Sequence, residues 1–249
     1  MRKLKELVIE RGLLLSALIT IAVTVGIVLV LSIEAVNFFS EVSIIDFITD
    51  PECTPLFSDK HFGILPLLSG TLLTSFIAIA FAVPVGLSIS IYLSEYAPKS
   101  FRRTIKPLLE LLAAVPTVVY GFFALMVVTP FLQSFIPGMS SFNSLSAGLV
   151  MGIMIIPYIS SLSEDALHAV PNSLREAAYG MGSTRLQNSF KVMVPAASSG
   201  IIVSIILAIS RAIGETMIVA IAAGQQPRLT FDPTVPVETI TAYIVQVSL

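Results

Sequence analysis

The sequence has no tryptophan, one cysteine and two histidines among its 249 residues. A single cysteine excludes an internal disulfide, so we expect Cys53 to be a small filler residue in a loop. His61 and His168 each lack a second histidine or a cysteine nearby, and we therefore predict no metal site. Charged residues make up only 12% of the chain, about half the share found in soluble domains. The net charge of −2 gives no reason to expect a nucleic-acid partner.

Long apolar runs dominate the rest of the sequence, and each can cross a hydrocarbon core of roughly 30 Å as a helix. Hydrophobic residues make up 55% of the chain, and the mean hydropathy is +0.91. The first run follows a basic N-terminus, but it is too long for a signal peptide and has no small-x-small cleavage site. We predict an all-α, polytopic helical membrane protein embedded in a lipid bilayer. Five spans are expected, near residues 13–33, 64–93, 108–129, 145–162 and 197–224.

Prolines and glycines inside these spans predict local features of the helices. Pro84, Pro116 and Pro157 fall within spans and are expected to be tolerated kinks. Gly148 and Gly152 form a GxxxG sequence in the fourth span, a spacing that lets two helix backbones approach closely.

Lysine and arginine are concentrated on one side of the predicted membrane. One side carries Arg2, Lys3, Lys5, Arg11, Lys99, Arg102, Arg103, Lys106, Arg175, Arg185 and Lys191, and the other only Lys60 and Arg228. The positive-inside rule therefore places the N-terminus in the cytoplasm, together with the loops after the second and fourth spans. Glu164 and Asp165 follow the fourth span directly, and we expect them to be solvated.

A polar insert over residues 163–196 separates the fourth and fifth spans, and it contains the stretch REAAYGMGSTRLQNSFKVMVP. Ser173 and Glu176 form an S-x-x-E capping box, which predicts a helix that starts at Leu174. Gly182 is a natural stop at the C-terminal end of that helix. The pattern predicts a first short helix on the cytoplasmic surface.

A second capping box follows, in which Thr184 and Gln187 open another helix toward Pro195. The insert is therefore predicted to be a helix-turn-helix. Its first helix exposes Ala177 and Ala178, whose small side chains would let a partner's groove come near. The alternative is that Glu176 only caps its own helix.

Two charges, Arg211 and Glu215, lie near the middle of the fifth predicted span. A charge at that depth costs roughly 2.5–3.5 kcal/mol, so such residues normally face a pore or a partner. Ser204 and Ala208 continue the same helix face, which would make a small and polar stripe along a translocation path. The alternative is an ion pair within the helix that neutralises itself. Arginine presents a planar fork of donors suited to a tetrahedral oxyanion.

We predict no catalytic residue on this chain. The sequence has no GxxxxGKS or GxxxxGKT motif, so it has no loop that could cradle nucleotide phosphates. No predicted span contains a histidine and none holds two interior carboxylates, which argues against an intramembrane hydrolase. A structural or channel subunit without ATP coupling is an open alternative.

The polar insert resembles the EAA loop of ABC importer permeases. Glu176-Ala177-Ala178 is followed at the family's spacing by Gly182 and by Val192-x-Val194-Pro195, with Val194 where the family usually has leucine. In that family this loop docks on the ATP-hydrolysing subunit. The resemblance implies coupling through Glu176, Ala177, Ala178 and Gly182 to an ABC ATPase dimer, which binds ATP and magnesium while this chain binds no cofactor.

Further segments resemble the permeases of phosphate-specific transport (Pst), and in particular their C-type. They are SRAIGETMIVA, FGILPLLSGTLLTS, SIYLSEYAP, AAVPTVVYGFFAL, TPLFSDKHFGILPL and TAYIVQVSL. The resemblance implies the type I ABC importer permease fold in a bacterial or archaeal cytoplasmic (inner) membrane. It also implies a second, A-type permease and an extracytoplasmic phosphate-binding protein as partners. Sulfate, molybdate and phosphonate are alternative substrates, since sulfate and molybdate permeases carry a related run around the arginine.

The family normally has six spans, and this sequence predicts five. Its last segment, TAYIVQVSL, is only mildly apolar and is typical of the lead-in to a sixth span. We therefore expect a shortened chain that is otherwise a single transmembrane permease domain over residues 1–249.

Overall fold

The computed structural model describes residues 2–55, 58 and 60–248, which are almost entirely helical. Within these residues, strand-like pairing is limited to two isolated bridges, between Cys53 and Phe62 and between Gly224 and Val237. The all-α prediction is confirmed. Several residues named above lie outside the described part: Leu56, Phe57, Asp59, Leu249 and the side chains of Arg2, Lys3 and Lys5. The chain divides into two compact units, one ending at Asp50 and the other beginning at Pro51.

The first unit is a long helix, α1 (Arg2–Glu41), followed by a short one, α2 (Ile44–Thr49). The predicted first span, 13–33, lies within α1, which continues beyond both of its ends. The apolar side chains of α1 are exposed from Leu13 to Ile33, as expected of a helix surrounded by lipid. Edge-to-face contacts of Phe47 with Phe38 and Phe39 join α2 to the end of α1.

The second unit contains the remaining helices, some of them joined by π-helical turns at Tyr92–Tyr96, Ala124–Val128 and Ser189–Met193. They are α3 (Leu65–Ile91), α4 (Lys99–Ala114), α5 (Thr117–Phe123), α6 (Thr129–Gln133), α7 (Ser144–Ala169), α8 (Asn172–Gly180), α9 (Arg185–Asn188), α10 (Val194–Ala196), α11 (Ser198–Ile213), α12 (Met217–Ala222) and α13 (Ile240–Ser248).

Helices α3 and α7 form the centre of this unit, and the GxxxG of α7 lies between them. A Cβ atom on Gly148 would lie 2.8 Å from the Ile77 Cβ atom, and one on Gly152 would lie 3.0 Å from the Ala78 carbonyl oxygen. Only glycine lets the two backbones approach this closely, so the predicted role of the GxxxG is confirmed. Both helices continue through their prolines, Pro84 and Pro157, as predicted.

The prediction that the third span, 108–129, is a single helix is wrong. Helix α4 and the segment Thr117–Gln133 meet at an angle of 88°. Val115 adopts extended backbone, with a ψ of 131°, because a residue before proline is disfavoured in the helical region. Pro116 itself also has a non-helical ψ of 134°. Pro116 therefore breaks the helix instead of kinking it, and residues 108–114 belong to a different element from the span.

The fourth and fifth predicted spans also have different ends in the structure. Helix α7 continues past residue 162 to Ala169, so residues 163–169 are not part of the polar insert. Pro171 is the first residue that prevents its continuation. Helix α11 ends at Ile213, and the short helix α12 begins only at Met217. The prediction of one continuous helix over 197–224 is therefore wrong.

Three described helices are long and apolar enough to cross a membrane, and the number rises to five if each sharply bent helix pair counts as one span. The two bent pairs are Lys99–Ala114 with Thr117–Gln133 and Arg185–Ala196 with Ser198–Ile213, which meet at 73°. In each pair, the helical segment that comes first in the chain therefore meets the span at a steep angle.

Candidate coupling and translocation site

The first helix of the polar insert, α8, begins earlier than predicted and for a different reason. It starts at Asn172 directly after Pro171, and no side chain caps its N-terminus. Ser173 lies inside the helix, so the predicted capping box of Ser173 and Glu176 is wrong. The Asn172 side chain accepts a hydrogen bond from Arg175 Nη1 at 2.8 Å. Pro171 precedes the helix with its ring-restricted φ of −57°.

The turn after α8 is a Schellman motif, and it confirms Gly182 as the helix stop. The Ser183 N–H donates to the Ala178 carbonyl at 3.1 Å, and the Gly182 N–H donates to the Tyr179 carbonyl at 2.9 Å. Gly182 has a φ of +83°, which glycine adopts without the strain that a Cβ atom would introduce.

The second capping box is present in full. The Gln187 N–H donates to Thr184 Oγ1 at 3.3 Å, and the Thr184 N–H donates to Gln187 Oε1 at 3.0 Å. Helix α9 continues through a π-helical turn into α10, which ends at Ala196 next to α11. The predicted helix-turn-helix is therefore confirmed, and its second helix leads directly into a span.

The tip of this hairpin is exposed. Glu176 and Ala177 are exposed, Ala178 is half-buried, and no ion pair joins Glu176 to another described side chain. Met181 is 89% exposed and Leu186 is 61% exposed, although both are apolar. An unpaired carboxylate beside exposed apolar side chains is a surface that a partner protein can cover.

A buried ion pair joins α8 to the end of α3. Arg175 Nη2 lies 2.7 Å from Glu95 Oε1, and the Glu95 side chain is only 3% exposed. Glu95 belongs to the π-helical turn Tyr92–Tyr96. From the sequence, Arg175 is predicted only to be one of the cations on one side of the membrane, and Glu95 is not predicted to form an ion pair. The available signal was a lone carboxylate just after the second predicted span and an arginine in the polar insert.

The prediction that Glu164 is solvated is wrong, because Glu164 belongs to a second cluster of ion pairs. Glu164 is wholly buried and contacts Arg102, and its Oε2 atom lies 3.1 Å from Lys106 Nζ. Asp165 is exposed and also pairs with Lys106, at 2.5 Å. Burial alone lowers the pKa of Lys106, but its hydrogen bonds to Asp165 and Glu164 outweigh that effect and the pKa is raised. Ion pairs therefore hold helix α4 at the end of α7.

The Arg211–Glu215 pair exists, but it spans a helix break. Arg211 is in the last turn of α11, and its Nη2 atom lies 3.8 Å from Glu215 Oε2. The Glu215 carboxylate accepts hydrogen bonds from the N–H groups of Met217 at 3.2 Å and Ile218 at 3.4 Å. These N–H groups would otherwise bond to carbonyls one turn back, so the carboxylate favours the break. Arg211 remains 43% exposed while Glu215 is buried.

Ser204 and Ala208 lie on the buried side of α11. The Ser204 and Ser163 hydroxyls are 2.7 Å apart, which ties α11 to α7. Ala208 is 1% exposed. In this chain the two residues pack between helices, and a place for Ser204 on a translocation path stays a prediction. Among the described residues, no three histidine, cysteine, aspartate or glutamate side chains converge as a metal site.

A bundle of apolar helices, three to five of which could span a membrane, with a polar helical hairpin before one of them is typical of a polytopic membrane protein. Residues 82–246 match the family of binding-protein-dependent transport system inner membrane components, and the chain belongs to that family. It is a multi-pass inner-membrane permease subunit of an ABC importer and is not an enzyme. Such a permease works with a separate ATPase and a second permease.

Several relatives are similar over most of this chain. A probable ABC transporter permease protein, YqgH of Bacillus subtilis, is 35% identical over 230 residues, covering 92% of this chain and 74% of the relative. The phosphate transport system permease protein PstC of Mesorhizobium japonicum is 37% identical over 217 residues, covering 80% and 66%. PstC of Haemophilus influenzae is 34% identical over 251 residues, covering 92% and 76%. The chain thus spans about two thirds to three quarters of these relatives, and the predicted resemblance is confirmed.

The fold also resembles a solved structure. The inward-facing MetNI methionine ABC transporter superposes with a TM-score of 0.53 and 22% identity, covering 61% of this chain and 70% of that chain. At this identity the likeness concerns the fold alone, and it agrees with the predicted type I ABC importer permease architecture.

Proposed function

We propose that this chain is the permease subunit of an ATP-driven phosphate importer, forming half of the translocation path. The observation that carries the proposal is the set of relatives named as phosphate transport permeases, 34–37% identical over 80–92% of this chain. No observation favours sulfate, molybdate or phosphonate.

Arg211 is the residue proposed to meet the anion. Its guanidinium is half-exposed at the end of α11, and its planar fork can donate two hydrogen bonds to a tetrahedral oxyanion. Glu215 holds the guanidinium in place from the break between α11 and α12. Ser204 contributes to the same wall by fastening α11 to α7 through Ser163.

The hairpin α8–α10 is proposed to couple this path to ATP hydrolysis. ATP and magnesium bind to the partner ATPase dimer, whose closure would push on Glu176, Ala177, Ala178 and Gly182 at the hairpin tip. The second half of the hairpin continues into α11, and Arg175 links the first half to Glu95 at the end of α3. A displacement of the tip would therefore reach two spans at once.

The remaining partners follow from the same proposal. An A-type permease would supply the other half of the path, and an extracytoplasmic phosphate-binding protein would deliver the substrate. The excess of lysine and arginine around the hairpin, α4 and the N-terminus supports a cytoplasmic N-terminus and a cytoplasmic hairpin.

The test is uptake of radiolabelled phosphate by the reconstituted four-subunit complex, with its binding protein and ATP. We expect ATP-dependent uptake that equimolar sulfate leaves unchanged. Competition by equimolar sulfate would contradict the phosphate assignment, and uptake without ATP would contradict the coupling.

Two variants of the complex separate the roles of path and hairpin. Arg211→Gln should reduce uptake at least tenfold while ATP hydrolysis persists, whereas Arg11→Gln, which removes a charge from exposed α1, should leave uptake unchanged. Glu176→Lys should abolish ATP-driven uptake by weakening ATPase docking. Normal uptake by Arg211→Gln would contradict the role of Arg211 in the translocation path. Normal uptake by Glu176→Lys would contradict the role of the hairpin in coupling.

A further inference from the structure

Helix α4 carries two separate stripes of side chains. Each of its four cations lies three or four positions from two of the others, and they are Lys99, Arg102, Arg103 and Lys106. Its exposed apolar side chains are Phe101, Leu108, Leu111 and Leu112, between 43% and 64% exposed. The only acidic residue in the helix is Glu110. A helix with basic and apolar stripes and few acids is the pattern of helices that lie in a membrane interface.

The direction of α4 agrees with that pattern. The helix meets the following apolar segment, Thr117–Gln133, at 88°. When this segment crosses the bilayer, α4 runs along the membrane surface. Its leucines can then reach the acyl chains while its cations remain at the level of the headgroups.

The ion pairs of α4 fix its rotation and leave part of its charge free. Arg102 and Lys106 bind Glu164 at the end of α7. Lys99 and Arg103 are exposed, and no ion pair joins either of them to another described residue. A cleft of about 500 Å³ runs along this face of the helix, lined by Lys99, Arg102, Arg103, Lys106, Pro107 and Glu110.

We propose that this cleft binds the headgroup of an anionic phospholipid, with Lys99 and Arg103 as its principal contacts. A phosphodiester group can be shared between two cations one helical turn apart. Each cation near an anionic surface strengthens the attraction roughly fivefold. The exposed leucines form the apolar stripe of α4, apart from the residues that line the cleft, and they can contact the acyl chains of lipids in the same interface. An anionic headgroup therefore complements the charge of the cleft.

The absence of tryptophan from this 249-residue chain makes the test direct, since Leu108→Trp gives the chain a single tryptophan. Leu108 is 51% exposed and lies about 7.5 Å along the helix axis from Arg103. The variant is reconstituted into phosphatidylcholine vesicles containing brominated phosphatidylglycerol or, separately, brominated phosphatidylcholine at the same mole fraction. We expect the relative association constant obtained from quenching to favour phosphatidylglycerol several-fold. Adding Lys99→Gln and Arg103→Gln should remove most of that preference, and high salt should weaken it.

The matched control is Leu29→Trp, at an exposed apolar position of α1 that has no cation beside it. Both brominated lipids should quench this tryptophan equally. Equal quenching at position 108 would overturn the proposal, as would a preference that survives the loss of both cations. Absence of quenching by either lipid would also overturn it, because the face of α4 would then be covered by protein, such as a second copy of this chain.

Discussion

Glu164 is a wholly buried carboxylate at the end of α7, and it is held there by cations that α4 supplies. Burying an ion costs several kcal/mol unless opposite charges approach closely, and Arg102 and Lys106 both do so. The two cations are themselves only partly buried, so the cost of assembling the cluster is lower than for a fully enclosed group. The contact joins two elements that lie far apart in the sequence.

We expect Glu164→Gln to lower the free energy of unfolding by about 2 kcal/mol, because the neutral amide leaves Arg102 without its counterion and leaves Lys106 paired with Asp165 alone. Asp165→Asn is the matched control and should cost less than about 1 kcal/mol, since Asp165 is exposed. Thermal or denaturant unfolding of the chain in detergent micelles measures both. Equal losses for the two variants would show that the burial of Glu164 has no energetic consequence.

Glu238 is a second buried carboxylate, and its contribution to the stability of the folded chain depends on pH. It is 1% exposed and accepts a hydrogen bond from the Gln246 amide at 2.5 Å in the amide orientation that satisfies both groups. Burial raises the pKa of Glu238 to about 7 from its usual 4.5. Below about pH 4.5 the group is protonated in both states. As the pH rises toward 7, the unfolded chain loses its proton first, so the contribution to stability is progressively lost.

The melting temperature should therefore fall more steeply between pH 4.5 and 7 in the natural chain than in Glu238→Gln. The glutamine cannot ionise, so the part of the slope that Glu238 causes disappears. The exposed Glu110→Gln variant is the control and should keep the original slope. Identical slopes for the natural chain and Glu238→Gln would contradict the assignment.

At the scale of elements, the hairpin α8–α10 owes its shape to local hydrogen bonds. The Schellman turn at Gly182 and the capping box of Thr184 with Gln187 involve residues at most five positions apart. Such contacts depend little on the rest of the molecule. For this reason the turn and the second helix could be predicted from the sequence, whereas the start of α8 was displaced by Pro171.

Gly182→Ala should destabilise the hairpin by about 1 kcal/mol, because alanine is strained at a φ of +83°. Gly180→Ala adds the same methyl group two residues earlier, within α8, and should be neutral or stabilising. No atom lies within 4 Å of a Cβ built at either position, so only the backbone conformation differs. Hydrogen exchange of the hairpin amides measures the effect. Equal exchange in the two variants would contradict this account of the turn.

At the scale of the whole molecule, the described part of the second unit is built around the contact between α3 and α7. Buried residues from both helices, among them Ala78, Met151 and Ile155, belong to its main apolar cluster. In lipid the drive for this packing is close contact and not the exclusion of water, so small residues at the contact matter most. Contacts with this pair also position three other helices. Glu164 binds α4, Glu95 binds α8, and Ser163 binds α11.

Gly152→Ala should destabilise the second unit by about 1–3 kcal/mol, because the new methyl group would meet the Ala78 carbonyl oxygen at 3.0 Å and force the backbones apart. Gly26→Ala in α1 is the matched control. It meets no atom within 4 Å and should be neutral or slightly stabilising, since alanine favours helix. The melting temperature in detergent distinguishes the two, and a Gly152→Ala variant as stable as Gly26→Ala would exclude tight packing at this contact.

The sequence by itself determined the features that depend on composition and on neighbouring residues. Apolar runs identified the membrane class, the GxxxG identified a close helix contact, and Gly182 with the capping box of Thr184 and Gln187 identified the turn and the second helix of the hairpin. Only the tertiary structure decided where the spans break and which charges meet. A proline can kink a helix or end it, and the structure shows that α4 ends before Pro116. The burial of Glu164 depends on cations about 60 residues away in the chain. Periodicity describes one helix at a time, and it does not contain the distances between helices that bring such charges together.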